Sequence, residues 1–159
     1  MLSILIPTYN YNVYNLVATL YKQLEKTGMI FEIICLDDAS TTIFLENEKI
    51  NSLVHCSYKK LETNIGRSRI RNLLAKKAKY DWLLFLDADV LPKNDDFILK
   101  YIEHIHTDEK IVNGGLLYVK EKPEKGKLLR WIYGKNREAL TFKVRQKIPY
   151  QSFLTLNHF

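Results

Sequence analysis

The sequence predicts an α/β fold, an open and mostly parallel sheet with flanking helices. Three observations carry that expectation. Short apolar runs alternate with stretches of helical spacing in the order β-α-β-α-β-α-β, a pattern that calls for a parallel sheet with right-handed crossovers. The run Trp82-Leu83-Leu84-Phe85-Leu86 is unbroken, as expected of a strand buried on both faces. Three loops of distinctive chemistry follow the strands: Pro7 to Asn10, Asp37 to Ser40 and Asp87 to Asp89. Sheets of this type bind ligands beyond the carboxyl ends of their strands.

Ser3 to Ile6 is the first strand, with Pro7-Thr8-Tyr9-Asn10 as the loop after it. Val13, Leu16, Val17, Leu20 and Leu24 recur at helical spacing, Gly28 stops that helix, and Asn10 or Asn12 caps it. Phe31 to Leu36 is the second strand, residues 41–51 a short helix, and Leu53 to Tyr58 a third and weaker strand. After the loop Leu61 to Gly66, a helix turns Ile70, Leu73, Leu74 and Ala78 inward and carries Arg67, Arg69 and Arg71 near its start. The Trp82 run is the central strand, and it ends by Pro92, which has no N–H for a ladder. Asn94 or Asp95 caps a helix whose core face is Phe97, Ile98, Tyr101, Ile102 and Ile105. Ile111-Val112 leads to Asn113-Gly114-Gly115 and then to Leu116 to Val119. The expected division is a subdomain over 1–118 and a basic region over 119–159.

The 159 residues suffice for one real core, and 47% hydrophobic with 26% charged residues reads as a globular chain. No apolar run approaches the ~20 residues of a membrane span. The start, Met1-Leu2-Ser3-Ile4-Leu5-Ile6-Pro7, lacks the basic region of a signal peptide. Cys35 and Cys56 form no CxxC pair and read as buried, reduced thiols. The net charge of +6 is uneven: Lys120 to Lys147 holds ten Lys and Arg against three Glu, a net of +7, and the remainder has a net of −1. That segment suits anionic lipid headgroups, a phosphate-bearing substrate or plain solvent. No nucleic-acid motif accompanies it, so nucleic acid is not the expected partner.

Asp87 and Asp89 close the Trp82 run. On an extended backbone they share one side, about 6–7 Å apart. Like charges there repel, so a positive group should relieve them, and a hard divalent cation is one candidate. A solvated turn with two acids is the other reading. His104 and His106 lie two apart on a helix and cannot share a metal.

Four words, in order, resemble glycosyltransferase family 2, the nucleotide-binding half of a GT-A glycosyltransferase. They are Ser3-Ile4-Leu5-Ile6-Pro7-Thr8-Tyr9-Asn10, Glu32-Ile33-Ile34-Cys35-Leu36-Asp37-Asp38-Ala39-Ser40, Asn64-Ile65-Gly66 with Ile70-Arg71-Asn72, and Phe85-Leu86-Asp87-Ala88-Asp89. Ala39 stands where that family usually has Gly, and Ile70 where Ala is common. The resemblance implies that Pro7, Thr8 and Tyr9 hold the nucleotide base, with the Tyr9 ring stacked on it. It implies that Asp38 accepts a hydrogen bond from the base, which favours uracil and hence a UDP-sugar, while Asp37 is structural. Arg71 would reach the base or the diphosphate, with Arg67 and Arg69 as weaker candidates. Asp87-Ala88-Asp89 looks like a DxD motif: Asp89 would bind Mn²⁺ or Mg²⁺, and Asp87 the ribose or the metal's water shell. Gly114-Gly115 resembles a position near the donor sugar, or is a plain turn.

The implied activity is inverting transfer of a sugar to a glycan or polysaccharide acceptor, at the cytoplasmic face of a membrane. Peripheral membrane contact would run through 120–147, where Leu128 to Tyr133 touches membrane or acceptor, or forms a core helix. The general base is expected beyond Phe159, after a strand like Phe153-Leu154-Thr155-Leu156-Asn157. That implies a truncated chain, binding nucleotide-sugar weakly and turning over poorly. Glu121, Glu124 and Glu138 sit in no motif, and none is assigned as base. Two alternatives stand beside this. Leu84 to Val90 also matches the nucleophile word of haloacid dehalogenase-type phosphatases, with Asp87 as nucleophile. A non-catalytic nucleotide-sugar-binding module, or half of a split enzyme, is the other.

Overall fold

The computed structural model describes residues 1–105, 107 and 111–147. The chain divides into two compact units, residues 1–109 and 110–159.

The first unit is a four-stranded sheet in the order β3-β2-β1-β4, with every pair parallel. Its elements are β1 (Leu2–Thr8), α1 (Tyr14–Glu25), β2 (Phe31–Asp37), α2 (Leu45–Glu48), β3 (Cys56–Lys60), α3 (Arg67–Lys77), β4 (Trp82–Phe85) and α4 (Phe97–Ile102). Side chains alternate across the sheet. Ile4 and Ile6 of β1 and Ile33 and Cys35 of β2 therefore join Leu16, Val17, Leu20 and Leu24 of α1 and Ile98 of α4 in one core. Leu5, Ile34 and Leu36 point the other way and meet Ile70 and Leu74 of α3 in a second.

Pro7 is the sixth residue of β1, not the start of a loop. Leu5 O accepts from Leu86 N on the β4 side, and Thr8 O accepts from Asp38 N on the β2 side. Backbone groups alternate sides, so Pro7 faces the β4 side. Pairing there has already ended at Leu5↔Phe85, and the missing N–H costs no ladder bond.

Several expected elements are corrected. Among the described residues β4 stands at one end of the sheet, and it is not buried on both faces. Its Leu84 is buried, but Leu83 and Phe85 are 37% and 39% exposed. The reason is coverage: α3 packs on β1 and β2, and its layer stops short of β4. β3 begins at Cys56 because His55 takes a φ of +63° and a turn closes from Cys56 N to Leu53 O. The helix expected over 41–51 splits into α2 and a 3-10 turn, Lys49–Ser52. At α4 the cap position is Asp96, with no side-chain cap bond. His104 lies past the end of α4, and His106 is outside the described residues.

α1 has no side-chain cap from its own N-cap residue, Val13. Asn12 Oδ1 instead accepts from Tyr14 N, and the buried Asn47 accepts from Val13 N at 2.9 Å and donates to Tyr11 O at 3.1 Å. At the amino end of the sheet, the buried Glu32 carboxylate accepts from Ser3 Oγ and Lys79 N, both at 2.6 Å. That bond ties the turn between α3 and β4 to β1 and β2.

The second unit holds α5 (Lys125–Arg137) and α6 (Phe142–Lys147). Leu116 to Val119 runs without regular secondary structure. Tyr118 donates to Glu138 at 2.5 Å and Val119 O accepts from Trp131 Nε1 at 2.9 Å, so side chains of α5 and its C-terminal end hold the segment. The strand expected at Phe153 to Asn157 lies outside the described residues. Among the described residues no helix is long and apolar enough to cross a membrane.

Candidate functional site

The carboxyl ends of β1 and β2 are latched together. Asp38 N donates to Thr8 O at 2.9 Å, and Asn10 N donates to Ser40 Oγ at 2.7 Å. Asn10 Oδ1 accepts from Thr41 N at 2.8 Å and Thr42 N at 3.0 Å. Asn10 holds a φ of +51° to do this, a conformation asparagine tolerates better than most residues. Spacing alone marks Asn10 as a helix cap, because its latch partners, Ser40 to Thr42, lie about 30 residues away. Thr8 is buried and its hydroxyl points to Tyr11 O at 3.5 Å, while Tyr9 is 51% exposed. Tyr11, two residues on, is 45% exposed, so two aromatic rings stand open on this rim.

Asp37 and Asp38 have separate duties. Asp37 Oδ1 accepts from Ser40 N at 2.7 Å, and Oδ2 accepts from Tyr58 OH at 2.6 Å. Burial first, and the Asp37 carboxylate second, push the Tyr58 phenol far above its usual range. Asp38 is 5% exposed. Its Oδ1 accepts from Ile65 N at 2.7 Å and its Oδ2 from Gly66 N at 2.9 Å, while Asn64 Nδ2 donates to its backbone oxygen at 2.9 Å. Asp38 thus fastens the loop before α3 to the end of β2. A carboxylate has about four acceptor sites, and these two bonds occupy one on each oxygen. Gly66 takes a φ of +87° at the N-cap of α3, which a side chain at that position would resist.

α3 carries the arginines from that anchored turn to the third loop. Arg71 is hydrogen-bonded and ion-paired to Asp87 through Nη2, and its Nη1 donates to Arg67 O at 3.3 Å. Arg67 Nη2 stands 3.6 Å from Asp87 Oδ2. Arg69 is exposed, and among the described residues it makes no ion pair. The positive group that relieves Asp87 is therefore arginine. The extended-backbone premise for Asp87 and Asp89 also fails. β4 ends at Phe85, and the chain turns through Ala88 and Asp89, with Val90 N donating to Asp87 O at 3.4 Å. Asp89 is exposed on that turn, and among the described residues nothing engages its carboxylate.

Contacts thus run from Thr8 beside Tyr9 through Asp38, Gly66, Arg67 and Arg71 to Asp87, two residues before Asp89. All of them lie at the carboxyl ends of β1, β2 and β4. Among the described residues no three His, Cys, Asp or Glu cluster as a closed metal site. A single carboxylate, Asp89, fits a hard divalent ion that keeps phosphate and water as its other ligands.

In the second unit, Arg145 Nη1 donates to Asn113 O and Gly114 O, both at 2.9 Å, and so holds the backbone of the Asn113-Gly114-Gly115 segment, which is not a turn. Glu138 accepts from both terminal nitrogens of Arg130, at 3.0 and 2.9 Å. Burial first, then Glu138, push the Tyr118 phenol up to about 12.

Comparison with known proteins identifies the family. A family model described as glycosyl transferase family 2 matches residues 3–155. A glycosyltransferase of Haemophilus influenzae whose role is uncharacterized is 34% identical over 134 residues, covering 78% of this chain and 45% of that protein. The poly(ribitol-phosphate) β-N-acetylglucosaminyltransferase TarS of Staphylococcus aureus is 32% identical over 123 residues, covering 69% of this chain and 20% of TarS. The crystal structure of TarS residues 1–349 with UDP-GlcNAc aligns at a TM-score of 0.51 and 29% identity, over 65% of this chain and 32% of that one. The chain spans less than half the length of these curated relatives. The match to the family extends well beyond the four short words, and it leaves the phosphatase reading of Asp87 without support. Sheet order, loop chemistry and family match agree, and the chain belongs to glycosyl transferase family 2.

Proposed function

We propose that this chain forms the donor-binding part of a glycosyltransferase that moves a sugar, with inversion, from a nucleoside-diphosphate sugar to a glycan or polysaccharide acceptor. A UDP-sugar is the favoured donor. The observation that carries the proposal is the division of labour between the two acids of the third loop. Asp87 is held by Arg71 and Arg67, and Asp89 stands exposed two residues on.

In this reading the exposed Tyr9 ring stacks on the base. The remaining lone pairs of Asp38 accept the imide N–H of uracil, which a guanine-bearing donor does not present in the same place. Asp87, oriented by Arg71, reaches the ribose hydroxyls. Asp89 would hold Mn²⁺ or Mg²⁺, which supplies positive charge for a diphosphate leaving group. Arg67, half exposed at the first turn of α3, adds a second positive group on that side. The general base is not assigned. Glu138 is engaged by Arg130 and Tyr118, and Glu121 and Glu124 are exposed acids outside any cluster.

Calorimetry with UDP and GDP, with and without Mn²⁺, tests this. UDP should bind more tightly than GDP, and Mn²⁺ should tighten UDP binding by about tenfold or more, roughly 1.4 kcal/mol. Asp89→Asn should remove the metal effect. Asp87→Asn should weaken UDP with or without metal and leave the ratio between the two. A metal effect that survives Asp89→Asn would overturn the assignment.

A further inference from the structure

We infer that α5 docks on the surface of an anionic lipid bilayer. The inference rests on the second unit alone and does not depend on the proposed donor site. Leu129, Ile132 and Tyr133 fall at i, i+3 and i+4 and so share one face of the helix. All three are exposed, Leu129 by 81%. Large apolar groups on a helix face this open need a partner. Lys125 lies one turn before Leu129, and Arg137 one turn after Tyr133, on the same face. Long cationic side chains at both ends of an apolar stripe can lay their stems along it and lift their charges to the headgroups.

Charge selects the occupant. The segment Lys120 to Lys147 carries a net of +7. A second copy of the same face would set that charge against itself. Nucleic acid would satisfy the charge and leave the aliphatic Leu129 and Ile132 without a place to go. A bilayer with anionic headgroups satisfies both: the stripe enters the headgroup–acyl boundary, and each nearby Lys or Arg gains from the surface potential.

Flotation of the full chain with vesicles tests this. One set is phosphatidylcholine alone, and the other adds phosphatidylglycerol. The chain should float with the anionic vesicles only, and high salt should release it. The pair Leu129→Gln with Ile132→Gln should weaken flotation by about tenfold or more. The pair Lys125→Glu with Arg137→Glu should do so by a similar factor. Circular dichroism checks that each variant is folded, and if the first pair unfolds the second decides. Equal flotation with both vesicles, none with either, or variants that float like the parent chain would each overturn the inference. So would a dimer in lipid-free sedimentation that the first pair abolishes, since the face would then belong to a second copy.

Discussion

Ala39 sits at a φ of +60° between Asp38 and Ser40. A residue with a Cβ is strained there by about 1–2 kcal/mol, which is the physical reason a glycine suits the position. Ala39 is held because its neighbours are tied: Asp38 N to Thr8 O, and Ser40 N to Asp37 Oδ1. Ala39→Gly removes the strain but loosens the unfolded chain, at a cost of about 0.5–1 kcal/mol. The expected outcome is therefore a chain between unchanged and ~1 kcal/mol more stable in urea unfolding. Ala39→Val should lose stability in the same measurement, because a β-branched residue fits that conformation worse still. Asp87 teaches a second lesson at this scale. Two acids in a short word look like one metal site, but a carboxylate's partner depends on what the fold brings to it. Here α3 brings Arg71.

Elements in this fold are joined by single polar side chains. Gln23 on α1 is buried, and its two amide ends reach α4 and the segment just before it: Nε2 donates to Asn94 O at 3.1 Å, and Oε1 accepts from Ile98 N at 3.0 Å. α4 has no side-chain cap of its own, so this amide stands in for one. Gln23→Ala leaves the buried Ile98 N–H unpaired and should cost about 1–3 kcal/mol. Amide exchange read by NMR should quicken first at Ile98 and its neighbours in α4, with β1 and β2 protected as before. Uniform quickening throughout the sheet would show that α4 is not separately tied by this residue. Gln23 falls at helical spacing on the buried face of α1 among Leu16, Leu20 and Leu24. A polar residue in an apolar stripe is a visible signal of such a tie, although its partner, 71 residues away in sequence, is not.

At the scale of the whole molecule, the two units carry different kinds of order. The sheet of the first unit is zipped by parallel ladders, while the second is held by side chains on two helices. Gly134 shows how tightly the second is packed: a Cβ there would stand 2.0 Å from Tyr118 Cζ. Gly134→Ala must push the Tyr118 ring away and break its bond to Glu138. The expected cost is roughly 1–3 kcal/mol, confined to the second unit. Limited trypsin digestion should show faster cleavage at Lys127 and Arg130 and unchanged cleavage within 1–105. Tyr118→Ala added to Gly134→Ala should recover part of the loss, because the clash then has no ring to meet.

By itself the sequence determined the alternation of strands and helices, the three loops at the strand ends, the separate charge of the late segment and the family. These are properties of local period and local chemistry, and they can be read without knowing what lies across the sheet. Only the tertiary structure decided that α3 leaves Leu83 and Phe85 of β4 uncovered, that Asn10 and Asn64 tie loops together, and that Arg71 is the partner of Asp87. The physical reason is common to all three. Each depends on which group arrives from an element far away in the chain, and neither residue type nor spacing encodes that arrival.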